Sequence, residues 1–122
     1  MIGQVSVVVA DDQPDMRMLV RAVLLDAGGF TVVAEAADGS EAIAATRRHL
    51  PHAVVLDVSM PNVDGIEALR GIRAEFPDLP VVMFSSLDDP DTIDAVMAFG
   101  ASDYVHKHDS TILPDRIKRA IA

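Results

Sequence analysis

The stretch Ala53-Val54-Val55-Leu56-Asp57 decides the fold. Its aliphatic residues run without polar alternation, the pattern of a strand covered on both faces in the middle of a parallel sheet. The run stops on a carboxylate and passes at once into Val58-Ser59-Met60-Pro61. Asp57 is therefore placed at the C-terminal end of a buried strand, the edge of an open α/β sheet where ligands bind.

Outward from this stretch, strand-like and helix-like segments alternate in both directions. Val5 to Ala10 is a second buried-strand run, interrupted by Asp11-Asp12-Gln13-Pro14. Asp12 or its neighbour is placed to cap the next helix, with Pro14 in its first turn. That helix is expected to turn Leu19, Ala22, Val23 and Ala27 inward and to end at Gly28-Gly29. Phe30 to Ala34 reads as a strand, and Asp38-Gly39-Ser40 leads into a helix from Glu41 to Leu50 that Pro51 stops. Beyond Asp57, the loop Met60 to Gly65 precedes a helix carrying Ile66, Leu69 and Ile72. Pro77 and Pro80 bracket the approach to the strand Val81 to Phe84, which ends in Ser85-Ser86. Asp88-Asp89-Pro90 opens a helix bearing Ile93, Val96 and Met97, closed by Gly100. A last strand, Asp103 to His106, reaches Lys107, and the final helix presents Leu113, Ile117, Ala120 and Ile121, with Ser110 or Thr111 as its cap.

Five strand and helix pairs in strict alternation make residues 1–122 one α/β domain, a doubly wound parallel sheet with helices on both faces. The flavodoxin-like strand order 2-1-3-4-5 puts the first and third strands side by side at the switch point. Asp11 and Asp12 then face Asp57 across one crevice, flanked by Ser85 and Lys107. Composition narrows the rest. There is no cysteine, which excludes disulfides, thiolate metal sites and cysteine nucleophiles. Hydrophobic residues make up 50% but aromatics only 4%, so aliphatic side chains carry the core and no base-stacking surface is expected. A net charge of -9 repels phosphate backbones, so no direct nucleic-acid binding is expected. With no apolar stretch of membrane-spanning length and no secretory leader pattern, a cytoplasmic domain is expected.

Taken singly, each site residue has a bland reading. Asp11-Asp12 can cap a helix, Ser85 can be a turn hydroxyl, Lys107 a solvated charge and Tyr104 a boundary residue. Their convergence on one sheet edge is what points to chemistry. Adjacent carboxylates raise one another's pKa unless a cation sits among them, and magnesium, or manganese in its place, suits an open oxygen-lined site. With that cation the site accepts a phosphoryl group, and Asp57 becomes a nucleophile that forms an acyl phosphate. Lys107 and the Ser85 hydroxyl would each contact a phosphoryl oxygen.

Over nearly its whole length the chain resembles the receiver domain of two-component response regulators, a CheY-like family. The matching residues are Asp11-Asp12, Asp57 with Met60-Pro61 and Asp64-Gly65, Ser85-Ser86, and Gly100-Ala101 through Tyr104-Val105-His106-Lys107. The stretch from Gly29 to Gly39 is similar to receivers of the NarL/FixJ class, which carry a helix-turn-helix output domain. The resemblance implies that Asp57 accepts a phosphoryl group from a phosphohistidine of a sensor histidine kinase. It implies that Asp12 and Asp57 ligate magnesium directly, with the Ser59 carbonyl, while Asp11 acts largely through water. Ser85 and Tyr104 would be the switch pair: a phosphoryl group adds about -1.5 to -2 charges, draws Ser85 inward and lets Tyr104 turn into the vacated space. The responding surface would be the fourth helix, fifth strand and fifth helix, used for a homodimer or for contact with an output domain lying outside these residues. On this reading the domain is a signalling phosphoacceptor, catalysing only its own phosphotransfer and dephosphorylation.

Small departures accompany the match. Ser85 stands where threonine is more frequent and Ser86 where alanine is common. Ser59 lies where it can affect the lifetime of the acyl phosphate. His106 and His108 flank Lys107, are expected on one side of an extended segment, and read as surface histidines. A haloacid-dehalogenase-type phosphatase would need a second aspartate at position 59, where serine stands. A flavin binder would need a hydroxyl-rich phosphate loop where Asp11-Asp12 stands, and a docking module that is never phosphorylated would not need the full set of site residues.

Overall fold

A computed structural model describes residues 4–122. In chain order it places β1 (Val5–Ala10), α1 (Pro14–Ala27), β2 (Phe30–Ala36), α2 (Gly39–His49), β3 (Ala53–Leu56) and α3 (Gly65–Glu75). There follow β4 (Val81–Ser85), α4 (Pro90–Ala98), β5 (Asp103–His106), a 3-10 turn (Lys107–Ile112) and α5 (Leu113–Ile121). All strands are parallel, and the sheet runs β2-β1-β3-β4-β5.

The uninterrupted valine and alanine runs become central strands because both of their faces are covered. Successive side chains point to opposite faces. Val8, Ala10, Val54, Leu56, Val81 and Met83 pack under α2, α3 and α4 through Ala42, Leu69, Ile72 and Val96. Val7, Val9, Val55, Val82 and Phe84 pack under α1 and α5 through Val20, Leu24, Leu113 and Ile117. The helices start where the sequence supplies side-chain acceptors. Asp38 accepts from the Glu41 N–H at 2.9 Å, Asp64 from that of Glu67 at 2.9 Å, and Asp89 from that of Thr92 at 3.0 Å.

Several local expectations give way. α1 begins after Gln13 with no side-chain cap, because Asp11 spends its carboxylate on the Gln13 N–H and on Lys107 and Asp12 is left exposed. Its inward residues are Val20 and Leu24, while Ala22 and Ala27 are exposed. The helix rotates so that its larger side chains fill the core, which alanines at the expected positions would leave short of volume. β2 runs on to Ala36 with an irregularity opposite Val7 and Val8, since each added residue gains a ladder partner from β1. Neither Ser110 nor Thr111 caps α5, because the chain winds through the 3-10 turn and enters the helix from Ile112, with Pro114 in the first turn. Met97 is 43% exposed, which leaves Val96 as the buried anchor of α4.

Candidate functional site

Asp11 and Asp57 are the first residues beyond β1 and β3. Their backbones continue the sheet, Asp11 N–H to the Ala36 carbonyl and Asp57 N–H to that of Ala10, each at 3.0 Å. Their side chains clear the edge at the switch point between the two strands. Gly65 seals this arrangement from below. Its N–H donates to the Val58 carbonyl at 2.8 Å, and a Cβ there would lie 1.8 Å from the Asp57 carbonyl oxygen, so only a hydrogen fits.

Asp57 and Asp11 are 4% and 3% exposed, so their charges are held largely out of water. Lys107 reaches in from the far side of the sheet, its Nζ 2.8 Å from Asp11 Oδ2 and 3.2 Å from Asp57 Oδ2. Burial first, and the Asp11 charge second, push the Asp57 carboxyl above its ordinary range, while Lys107 and the Ser59 N–H pull the other way. Burial opposes the charged form of Lys107, but its hydrogen bond to Asp11 and the charges of Asp57 and Asp11 outweigh that cost and hold the ammonium above its usual pKa. One carboxylate oxygen each from Asp11, Asp12 and Asp57 lie within 4.8 Å of one another. Three carboxylates against one ammonium leave a negative excess, and every donor is a hard oxygen. These residues fit a hard divalent cation such as Mg²⁺.

A cavity of about 420 Å³ opens above the cluster. Asp12, Asp57, Ser59, Ser86, Lys107 and His108 line it, together with Gln13, Met16 and Leu19 from α1. Of the residues expected at the site, Asp11, Asp12, Asp57 and Lys107 are brought together, with Ser59 and Ser86 exposed at the mouth, whereas Ser85 and Tyr104 do not line the cavity. Ser85 is buried at the end of β4. Ser85 and Tyr104 meet through one residue: Ser85 Oγ accepts from the Leu87 N–H at 3.2 Å, and the Tyr104 hydroxyl donates to the Leu87 carbonyl. Burial, then the negative charge of Asp89, push the Tyr104 hydroxyl up, so it stays a donor.

His106 and His108 do not alternate along an extended segment, because β5 stops at His106 and the chain turns. Their rings meet edge-on with centroids 4.6 Å apart. His106 Nδ1 accepts from the His108 N–H at 3.0 Å, so Nε2 carries the hydrogen and donates to the Ser86 carbonyl at 3.1 Å. Sequence reasoning also missed Arg17, whose guanidinium donates to the Asp11 carbonyl at 2.7 Å and to Glu35 at 2.8 Å. Nothing local marks it off from a solvated helix arginine.

The strand order and the lysine-paired acidic cluster at the switch point define a flavodoxin-like α/β domain with an oxygen-donor site. The particular family follows from comparison with known proteins: the chain belongs to the response regulator receiver domains, whose family model matches residues 7–121. It is 35% identical over 116 residues to the chemotaxis protein CheY of Bacillus subtilis, covering 94% of this chain and 92% of that protein. It is 40% identical over 116 residues to a protein-glutamate methylesterase/protein-glutamine glutaminase of Oleidesulfovibrio alaskensis, covering 93% of this chain and 31% of that relative. The signal receiver domain of the putative response regulator NarL from Mycobacterium tuberculosis superposes with a TM-score of 0.90 at 30% identity, covering 98% of this chain and 97% of that one. The chain spans between 31% and 50% of the length of the first curated relatives it matches. Among the described residues, no helix is long and apolar enough to cross a membrane.

Proposed function

We propose that this receiver domain takes a phosphoryl group onto Asp57 from a phosphohistidine of a sensor histidine kinase and uses it to switch the surface formed by α4, β5 and α5. The observation that carries the reading is the buried Asp57 carboxylate in ion-pair reach of Lys107, at the floor of a cavity open to a donor. An Asp57 oxygen attacks phosphorus and the P–N bond to the donor imidazole breaks. The imidazole nitrogen keeps the electron pair and is protonated, leaving an acyl phosphate. Lys107 is placed to hold a phosphoryl oxygen, and the Ser85 hydroxyl to contact another once it leaves the Leu87 N–H. Asp12 and Asp57 with the Ser59 carbonyl would hold Mg²⁺ or Mn²⁺, and Asp11 would act through water. When bound, that cation offsets the negative charge the phosphoryl group brings to an already acidic site. Water attack on the same phosphorus returns the carboxylate, so the domain acts on itself and turns over no other substrate.

The bistable element is the β4–α4 connection. Moving Ser85 toward the phosphoryl group frees Leu87, and Tyr104 loses its acceptor and turns inward. The two packings exchange by population shift. The similarity to the NarL receiver supports assignment to the NarL/FixJ class, with a homodimer on phosphorylation, a DNA-binding output domain outside these residues and a cytoplasmic location. Intact mass after incubation with acetyl phosphate tests the chemistry. One phosphoryl group should be gained with Mg²⁺, and none without it or in Asp57→Asn. A gain that survives in Asp57→Asn would overturn the assignment of the acceptor.

A further inference from the structure

Every polar group of Asp11 has a partner. Its N–H donates to Ala36, its carboxylate serves Gln13 and Lys107, and its carbonyl accepts from Arg17 Nη1 at 2.7 Å. Asp12, by contrast, is exposed, and its carboxylate makes no hydrogen bond or ion pair among the described residues. What aims Asp12 is therefore its backbone, and the peptide that joins it to Asp11 is held at its oxygen by Arg17.

The clamp continues outward. Arg17 Nε donates to Glu35 Oε1 at 2.8 Å, and Arg21 holds the other oxygen of Glu35. The Arg21 hydrogen bond, working against partial burial, and then the Arg17 hydrogen bond keep the Glu35 carboxyl below its usual range. Arg17 is only 18% exposed, so its fork spans edge strand β2 and the acidic turn with little freedom to wander. A planar guanidinium bridges a carbonyl and a carboxylate at once, which a lysine ammonium on a flexible stem does poorly.

We propose that Arg17 is a positioning residue for the divalent-cation site, fixing the Asp11-Asp12 peptide so that the Asp12 carboxylate is presented in register with that of Asp57. The inference deepens the reading of the acidic cluster as a Mg²⁺ site and rests on it. Groups that orient ligands in this way are worth about 10- to 100-fold in metal affinity.

The test is titration of the domain with Mg²⁺ by calorimetry, beside the Mg²⁺ dependence of phosphorylation by acetyl phosphate, on variants shown to be folded by circular dichroism. Arg17→Ala should weaken Mg²⁺ binding about tenfold. It should raise the Mg²⁺ concentration giving half-maximal phosphorylation by the same factor and leave the rate at saturating Mg²⁺ nearly unchanged. Arg17→Lys should recover part of the affinity, and Arg21→Ala, which touches Glu35 but not Asp11, should bind as the parent does. A folded Arg17→Ala with parental Mg²⁺ affinity overturns the proposal. Should that variant not fold, parental affinity in Arg17→Lys overturns it equally. Absence of Mg²⁺ binding in the parent itself would overturn the metal reading, an outcome distinct from failure of the Arg17 assignment.

Discussion

The two sides of the sheet edge are built differently. On the β1 and β3 side, Asp11 and Asp57 are almost fully buried, their backbones belong to the ladder, and Gly65 lies directly against the Asp57 peptide. On the β4 and β5 side, Ser86 to Pro90 are all exposed, and α4 sinks a single residue, Val96, below the surface. That loop is tied down by contacts to two peptides: His106 to the Ser86 carbonyl, and Ser85 and Tyr104 to the two ends of Leu87. A segment with so little buried apolar surface opens at low free energy, whereas a segment in the central ladder opens only with the whole domain. Charge chemistry needs preorganised groups, and a switch needs neighbours whose packing is easily exchanged.

Substitutions can break this contrast, and the largest effect is expected on the rigid side. Gly65→Ala forces a methyl group into the Asp57 carbonyl and should cost about 3 kcal/mol in urea unfolding. Lys107→Ala leaves Asp11 and Asp57 without their cation and should cost about 2 kcal/mol at neutral pH. The folded pKa of Lys107 lies above its ordinary 10.5, so its contribution is fully present below 10.5 and is lost as pH rises through the folded value. The parent should therefore approach Lys107→Ala in stability at strongly alkaline pH, which denaturation across pH would reveal.

Asp57 works in the opposite sense. Its folded pKa lies above 3.8, so the native state binds the proton more tightly than the unfolded chain, and stability falls as pH climbs from 3.8 through the folded value. The ionised carboxylate is a cost at neutral pH. Asp57→Asn should therefore stabilise the metal-free domain by on the order of 1 kcal/mol near neutrality, about 4 °C in Tm, with the gain fading in acid. The smallest effect belongs to the exposed side. Tyr104→Phe removes one hydrogen bond to a loop peptide and should cost about 0.5–1 kcal/mol, with faster amide exchange around Leu87 in NMR spectra.

The rigid side was also the more legible in the sequence. Val5 to Ala10 and Ala53 to Leu56 are apolar runs with few alternative uses, and the acids that end them can point only off the sheet edge. Alternation and the handedness of the crossovers leave few strand orders, and the flavodoxin-like one among them brings Asp11, Asp12, Asp57 and Lys107 together. What escaped was decided by contacts between distant segments. The inward face of α1 depends on which side chains fill the space beneath it, so Val20 and Leu24 won over Ala22 and Ala27. The cap expected of Asp12 or its neighbour failed because α1 starts only after Gln13, while Asp11 is engaged by Lys107 from the other end of the chain. Arg17 on the Asp11 carbonyl, and the paired histidines in the turn after β5, involve backbone acceptors and a change of chain direction that carry no residue signature.

The most direct test of the account is amide hydrogen exchange on the domain with Mg²⁺, before and after phosphorylation by acetyl phosphate. Exchange should alter in Ser85 to Phe99 and in β5, with β1 and β3 unchanged, and should not alter in Asp57→Asn. Equal changes across all strands, or changes confined to β1 and β3, would contradict a rigid acidic half driving a loosely held switching half.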